Sequence, residues 1–182
     1  MRVLICYGTT EGQTRKIAGF IADIVRKHGH EATLFDATDA DDTEPSKAGA
    51  AILAGSIHMG RYQSALVHRA RAWHERLNAM PSVFVSVSLS AVGDDPHERA
   101  EIDEIAQKML HDTGWRPGAT LQAAGAFRFT QYDFFKRWVM KLIALQRRQA
   151  VDMKSDKEYT DWAAVTAFTE DFLAKLPADK PG

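Results

Sequence analysis

Three hydroxyl side chains, Thr9, Thr10 and Thr14, lie around Gly12 just ahead of a stretch with helical periodicity. Hydroxyls donate hydrogen bonds to oxyanions, a glycine lets the backbone approach a ligand closely, and a helix start exposes N–H groups that no carbonyl of the helix accepts. Thr9, Thr10, Glu11, Gly12, Gln13 and Thr14 therefore read as a cradle for a phosphate monoester. The same residues would also serve as an ordinary helix cap. No lysine follows in a Gly-Lys-Ser/Thr arrangement, which disfavours a triphosphate loop, and the absence of Gly-x-Gly-x-x-Gly disfavours a dinucleotide fingerprint.

Such a loop works only if a strand delivers it and a helix leaves it. Residues 2–7 form a short apolar run ending at Gly8, as expected of a central parallel strand covered on both faces. From Gln13 to His28 the apolar residues Ile17, Ala18, Ile21, Ala22 and Val25 recur at helical spacing, and Gly29 stops the pattern. Further strands are expected at 31–35, 50–57, 82–89 and 120–126, and helices at 64–77 and about 96–112. Asp95, Pro96 and Glu98 supply the start signal of the latter helix. A final helix is expected from near Thr160 to before Pro177, and 36–47 reads as a connection with at most a short helix. Alternation of this kind predicts a doubly wound α/β fold with a five-stranded parallel sheet, one domain over 1–182 with a late insertion at about 127–159. Ligands of such sheets bind beyond the carboxyl ends of the strands, where Gly8 gives way to Thr9.

At 182 residues, with 45% hydrophobic and 26% charged side chains, the chain has the composition of an ordinary globular domain. No apolar run approaches the roughly 20 residues that cross a bilayer, and the first strand runs into a turn instead of a cleavable signal. The expected location is the cytoplasm or the cytoplasmic face of a membrane. Cys6, the single cysteine, lies in an apolar strand and reads as a packed thiol, so redox chemistry would need a bound cofactor. No metal site and no nucleic-acid partner are expected.

Charge is unevenly distributed. Arg128, Lys136, Arg137, Lys141, Arg147 and Arg148 face a single anion, Asp133, in the stretch 128–148. On a helical projection of 133–149 the cations share one arc with Asp133. Phe134, Phe135, Trp138, Val139, Leu142, Ile143 and Leu145 fill the other, and Met140 falls on the charged side. An amphipathic helix over about 132–149 follows. Its basic face and aromatic-rich apolar face suit a membrane surface, although packing on the protein's own core or on a partner subunit would use the same pattern.

The run Tyr7-Gly8-Thr9-Thr10-Glu11-Gly12-Gln13-Thr14 resembles the flavodoxin signature for flavin mononucleotide (FMN), with Cys6 and Glu11 as departures. That resemblance implies a flavodoxin-like sheet of order 2-1-3-4-5 with FMN as cofactor. The flavin ring would lie between the loops after the third and fourth strands, contacted by Ser56, Ile57 and His58 on one side and Ser88, Leu89, Ser90 and Ala91 on the other. Met59 and Tyr62 are further candidates to touch the ring. His58 is the one nearby side chain suited to proton transfer, and it could equally be a lid or surface residue.

Gly55-Ser56-Ile57 with Gly60 and Tyr62, Met80-Pro81-Ser82, Trp115-Arg116-Pro117, Gly125-Ala126, Met140-Lys141-Leu142-Ile143 and Tyr159-Thr160-Asp161-Trp162 extend the likeness over nearly the whole chain. Together with Glu11-Gly12-Gln13-Thr14-Arg15 they are similar to the quinone-dependent protoporphyrinogen IX dehydrogenases. The resemblance implies oxidation of protoporphyrinogen IX to protoporphyrin IX in heme synthesis, with menaquinone or ubiquinone as acceptor at the cytoplasmic face of the inner membrane. It also makes Arg61, Arg128, Phe129 and Tyr132 candidate substrate contacts and leaves a homo-oligomer open. Two other functions use the same fold. Electron-carrier flavodoxins are usually strongly acidic and carry a tyrosine after the fourth strand, whereas this chain has a pI near 6.7 and no tyrosine there. An FMN-dependent NAD(P)H:quinone reductase would need a nicotinamide site, and no phosphate-reading pattern for one is seen.

Overall fold

The computed structural model describes residues 1–39, 45–89, 91, 95–127 and 157–177. In chain order its elements are β1 (Arg2–Gly8), α1 (Gln13–Lys27), β2 (Glu31–Asp36), a 3-10 turn (Pro45–Lys47), β3 (Ala50–Ser56), α2 (Ser64–Asn78) and β4 (Ser82–Ser88). There follow α3 (Pro96–Thr113), β5 (Thr120–Ala124), β6 (Ala126–Phe127), β7 (Lys157–Glu158) and α4 (Trp162–Ala174). The five long strands form one parallel sheet in the order β2-β1-β3-β4-β5, as the flavodoxin-like reading requires.

The strand sequences explain the layering. β3 and β4 are buried at almost every position and β1 at all but its first, so side chains on both faces must be apolar or small. Val3, Ile5 and Tyr7 point to one face and pack with Ile17, Ile21 and Val25 of α1 and Phe172 of α4. Leu4 and Cys6 point to the other, with Leu66, Ala70 and Leu77 of α2 and Phe84 of β4. Trp115 closes that second core edge-on against Phe84 at 5.6 Å, and its indole N–H donates to Ser82 Oγ at 3.0 Å. Burial also pushes the Cys6 thiol far above its usual range, so it stays protonated and inert.

Helix ends follow their local signals. α1 stops where Gly29 takes φ +80°, with the His30 N–H reaching back to the Val25 carbonyl at 3.2 Å. The Asp95 carboxylate accepts from the His97 N–H at 2.9 Å and starts α3.

Four boundaries near the site differ from expectation. β3 and β4 each end one residue earlier, at Ser56 and Ser88. β5 stops at Ala124 instead of running to 126, because the chain changes partners at Gly125. Its N–H donates to the Ser88 carbonyl at 2.9 Å, its carbonyl accepts from the Tyr159 N–H at 3.2 Å, and Ala126–Phe127 then pair antiparallel with Lys157–Glu158. The last helix starts at Trp162, capped by Asp161, whose carboxylate accepts from the Ala164 N–H at 3.0 Å. Thr160 is drawn out of that helix, since its hydroxyl donates to the Ala124 carbonyl at 2.8 Å.

Gly55 marks the tightest contact between sheet and helix. A Cβ there would lie 2.4 Å from Leu66 Cδ2 and 3.0 Å from Tyr62 Cδ1, both deep in the core. Gly55→Ala is therefore expected to destabilise the fold by about 1–3 kcal/mol, the usual cost of overpacking. A urea unfolding curve with an unshifted midpoint would contradict this.

Candidate cofactor site

The carboxyl ends of β1, β3 and β4 lie side by side, and the loops leaving them converge on one pocket. Thr9, Thr10, Glu11, Gln13 and Thr14 line it from below. Ser56, Ile57 and His58 contribute from the loop after β3, and Ser88 and Leu89 from the end of β4. The structure thus brings together most of the cofactor residues expected from sequence, with Gly125 as an unforeseen neighbour.

The loop has the features that an anion cradle requires. Gly12 takes φ +89°, a left-handed conformation that favours glycine, and its N–H donates to Thr9 Oγ1 at 2.9 Å. The Gly12 carbonyl accepts the first helical bond, from the Lys16 N–H at 3.2 Å, so the N–H groups ahead of Lys16 have no helical acceptor. Thr14 is wholly buried, yet its hydroxyl has no partner within the protein. An orphaned buried hydroxyl costs about 1–3 kcal/mol, which an accepting phosphate oxygen would remove. The residues present therefore fit the phosphate of FMN. Glu11 lines the same pocket and is half-buried.

Gln63 is the functional residue that sequence reasoning missed. Its amide donates to Thr10 Oγ1 at 2.9 Å and to Ser56 Oγ at 2.7 Å, bridging the phosphate loop to the loop after β3. Its signal was positional, the residue just before α2 at the same sheet edge. Gly8 makes the approach possible, because a Cβ there would sit 3.0 Å from Gln63 Oε1 and from Leu66 Cβ.

Beyond Ile57 the chain folds into a two-residue turn. His58 and Arg61 exchange backbone bonds of 2.8 and 3.1 Å, with Met59 at φ +51° and Gly60 at φ +73°. Two left-handed residues are what such a mirror-image turn demands. Glycine meets that demand freely, while Met59 is held there at about 1–2 kcal/mol. Met59 is 70% exposed, the one large hydrophobic so displayed among the described residues, and His58 is exposed beside it.

Tyr62 does not face the pocket. It is buried against Phe84, with its hydroxyl 2.7 Å from Ser86 Oγ, and burial raises its pKa. Arg61 lies outside the phosphate pocket, at the head of a groove it shares with Val67, His68, Ile105 and Met109. The groove's cations are mostly engaged already: Arg69 donates to the Asp39 carbonyl at 2.6 Å and Lys108 to the Asp112 carboxylate at 2.7 Å. Ala91 donates its N–H to Ser88 Oγ at 3.2 Å and lines a neighbouring depression with Tyr159 and Asp161. Ser90, Arg128, Phe129, Tyr132 and the helix expected at 132–149 lie outside the described residues. Among those described, no three His, Cys, Asp or Glu side chains cluster as metal ligands, and no helix is long and apolar enough to cross a membrane.

A family model described as a flavodoxin domain matches residues 4–154. Protoporphyrinogen IX dehydrogenase [quinone] of Escherichia coli K12 is 32% identical over 182 residues, covering 100% of this chain and 98% of that protein. The Leishmania major protein of the same name is 31% identical over 181 residues, covering 99% of this chain and 78% of its own. The chain belongs to the protoporphyrinogen IX dehydrogenase [quinone] family, built on a flavodoxin domain. Among solved structures, a flavodoxin of Streptococcus pneumonia TIGR4 superposes with a TM-score of 0.59 at 17% identity, covering 96% of this chain and 99% of its own. Flavodoxin 1 of Bacillus cereus gives 0.58 at 13% identity, covering 97% and 100%. The cofactor that goes with the flavodoxin domain is FMN.

Thr14→Ala removes the orphaned hydroxyl together with one buried methyl group, and Thr14→Val, which keeps the shape, removes the hydroxyl alone. Losing one buried donor to phosphate, worth about 1–3 kcal/mol, should weaken FMN binding roughly five- to a hundredfold. Fluorescence titration of apoprotein measures this, and an unchanged Kd would remove Thr14 from the site.

Proposed function

We propose that this protein oxidises protoporphyrinogen IX to protoporphyrin IX with FMN and passes the electrons to a membrane quinone. The observation that carries the reading is its similarity, over its whole length, to dehydrogenases of that name. Bound FMN supplies the hydride-accepting chemistry. The residues of the chain hold and shape the site around it. Thr9 to Thr14 grip the phosphate, while Ser56, Ile57 and His58 and the segment Ser88, Leu89, Ser90 and Ala91 flank the ring.

Gln63 keeps the two nearest loops in register, and the rigid His58–Arg61 turn fixes where an exposed histidine and a free-standing methionine meet the substrate. His58 is then the side chain placed to accept a pyrrole proton. Arg61, Arg128, Phe129 and Tyr132 are the candidate contacts for a flat apolar tetrapyrrole with propionate groups. Anaerobic mixing of FMN-loaded protein with protoporphyrinogen and a quinone should give protoporphyrin fluorescence and reduced quinone. Rapid NADPH oxidation by quinone, with none by porphyrinogen, would instead make the protein a nicotinamide-dependent quinone reductase.

The same reading puts the protein on the cytoplasmic face of the inner membrane, held through residues 132–149. Its support is the sequence pattern, in which five cations are segregated from seven apolar side chains. Near an anionic surface each Lys or Arg contributes about 1 kcal/mol, enough together for reversible, salt-sensitive attachment. Reversing Lys136, Lys141 and Arg148 to Glu should release the protein from anionic vesicles while FMN stays bound. Wild-type protein that ignores such vesicles at low salt would end the membrane assignment.

A further inference from the structure

Gln13 belongs to the phosphate loop by backbone, but its side chain is engaged elsewhere. It is nine-tenths buried, and its amide nitrogen donates to Glu158 Oε1 at 3.0 Å and to Thr160 Oγ1 at 2.8 Å. Both partners lie some 145 residues further along the chain. One turn on in α1, Lys16 Nζ reaches the other Glu158 oxygen at 2.6 Å, and that bond holds the Glu158 carboxyl below its ordinary range. Thr160 passes the connection on to the Ala124 carbonyl, and the Tyr159 N–H completes it at Gly125.

These bonds tie the head of α1 to the β6–β7 ribbon, whose two strands are where residues 128–156 leave and rejoin the described chain. Without an anion, the loop keeps an unpartnered Thr14 hydroxyl next to the backbone from which the Gln13 side chain grows. A phosphate that fixes the N–H groups of Gln13 and Thr14 also fixes the origin of that side chain.

We propose that Gln13 is a positioning residue that couples FMN phosphate binding to the order of the β6–β7 ribbon, through Glu158 and Thr160. The proposal rests on the FMN reading above. Because coupling is reciprocal, whatever factor the phosphate adds to ribbon stability, the intact ribbon adds to FMN affinity.

Amide hydrogen exchange on the full chain, with and without FMN, tests it. FMN should slow exchange at Thr14 and Arg15 and also at Phe127, Lys157 and Tyr159, the latter three by about tenfold if one buried hydrogen bond is stabilised. In Gln13→Leu the loop amides should still respond to FMN while the ribbon amides no longer do, and FMN should bind more weakly by the factor of ribbon protection lost. Glu158→Gln retains an amide oxygen for Gln13 and should keep the response, whereas Glu158→Ala should lose it. Thr160→Val is the second variant should Gln13→Leu not fold. Ribbon amides indifferent to FMN in the wild type, or equally protected in Gln13→Leu, would overturn the coupling. Loop amides that ignore FMN would show instead that the phosphate assignment is wrong, and the coupling would fall with it.

Discussion

A helix that begins where a buried strand ends must leave its first N–H groups without helical acceptors, and in this chain that constraint governs the sheet's carboxyl edge. Four residues separate the end of β1 from the start of α1, with only the loop around Gly12 to turn the chain. The left-handed Gly12 and its bond to Thr9 shape a loop whose residues, the buried and unpartnered Thr14 among them, line one pocket. In the protein alone the arrangement is unfavourable, since buried donors want acceptors. An anion bound there would supply the acceptors, and its binding would then add to the stability of the fold.

The rest of the molecule keeps that point fixed. Apolar residues on both faces of β1 and β3 anchor the two strands that bracket the switch in chain direction, and α1 packs on one face while α2 packs on the other. Small residues then let the layers close. Gly8 admits Gln63 and Gly55 admits Leu66 and Tyr62, so the start of α2 comes near enough for one amide to hold the loops after β1 and β3 together. Rigidity at the site is in this sense a consequence of backbone approach.

Features governed by short-range chemistry were legible in the sequence. Continuous apolar strands, the α1 periodicity, the Asp95–Pro96 start and the Thr9–Thr14 loop all depend on residues within a few positions of one another. What could not be read depends on partners far apart in the chain. Nothing local says that Gln63 will bridge Thr10 and Ser56, or that Gln13 will reach Glu158 and Thr160. The boundary at Gly125 failed for the same reason: 120–126 is a sound strand by composition, but Tyr159 and the β7 residues compete for its end. Thr160 likewise looks like a helix start until the Ala124 carbonyl claims its hydroxyl.

The flavodoxins that superpose on this chain share the sheet at low identity, so the sheet and cradle alone do not distinguish an electron carrier from a dehydrogenase. The distinction must arise where the chain departs from what a phosphate cradle needs. One such place is the His58–Arg61 turn, which holds a methionine in a left-handed conformation with its side chain in solvent. A glycine at that position would relieve the backbone, so the displayed apolar side chain next to His58 is kept at a conformational cost. The other is the ribbon, fastened to the head of α1 by Gln13 and Lys16. An electron carrier needs only an exposed flavin edge, whereas an enzyme that takes electrons from one partner and gives them to another must also hold further groups at a fixed place relative to the cofactor. Fastening the β6–β7 ribbon to the head of α1, beside the phosphate loop, is a physical means of fixing such a place.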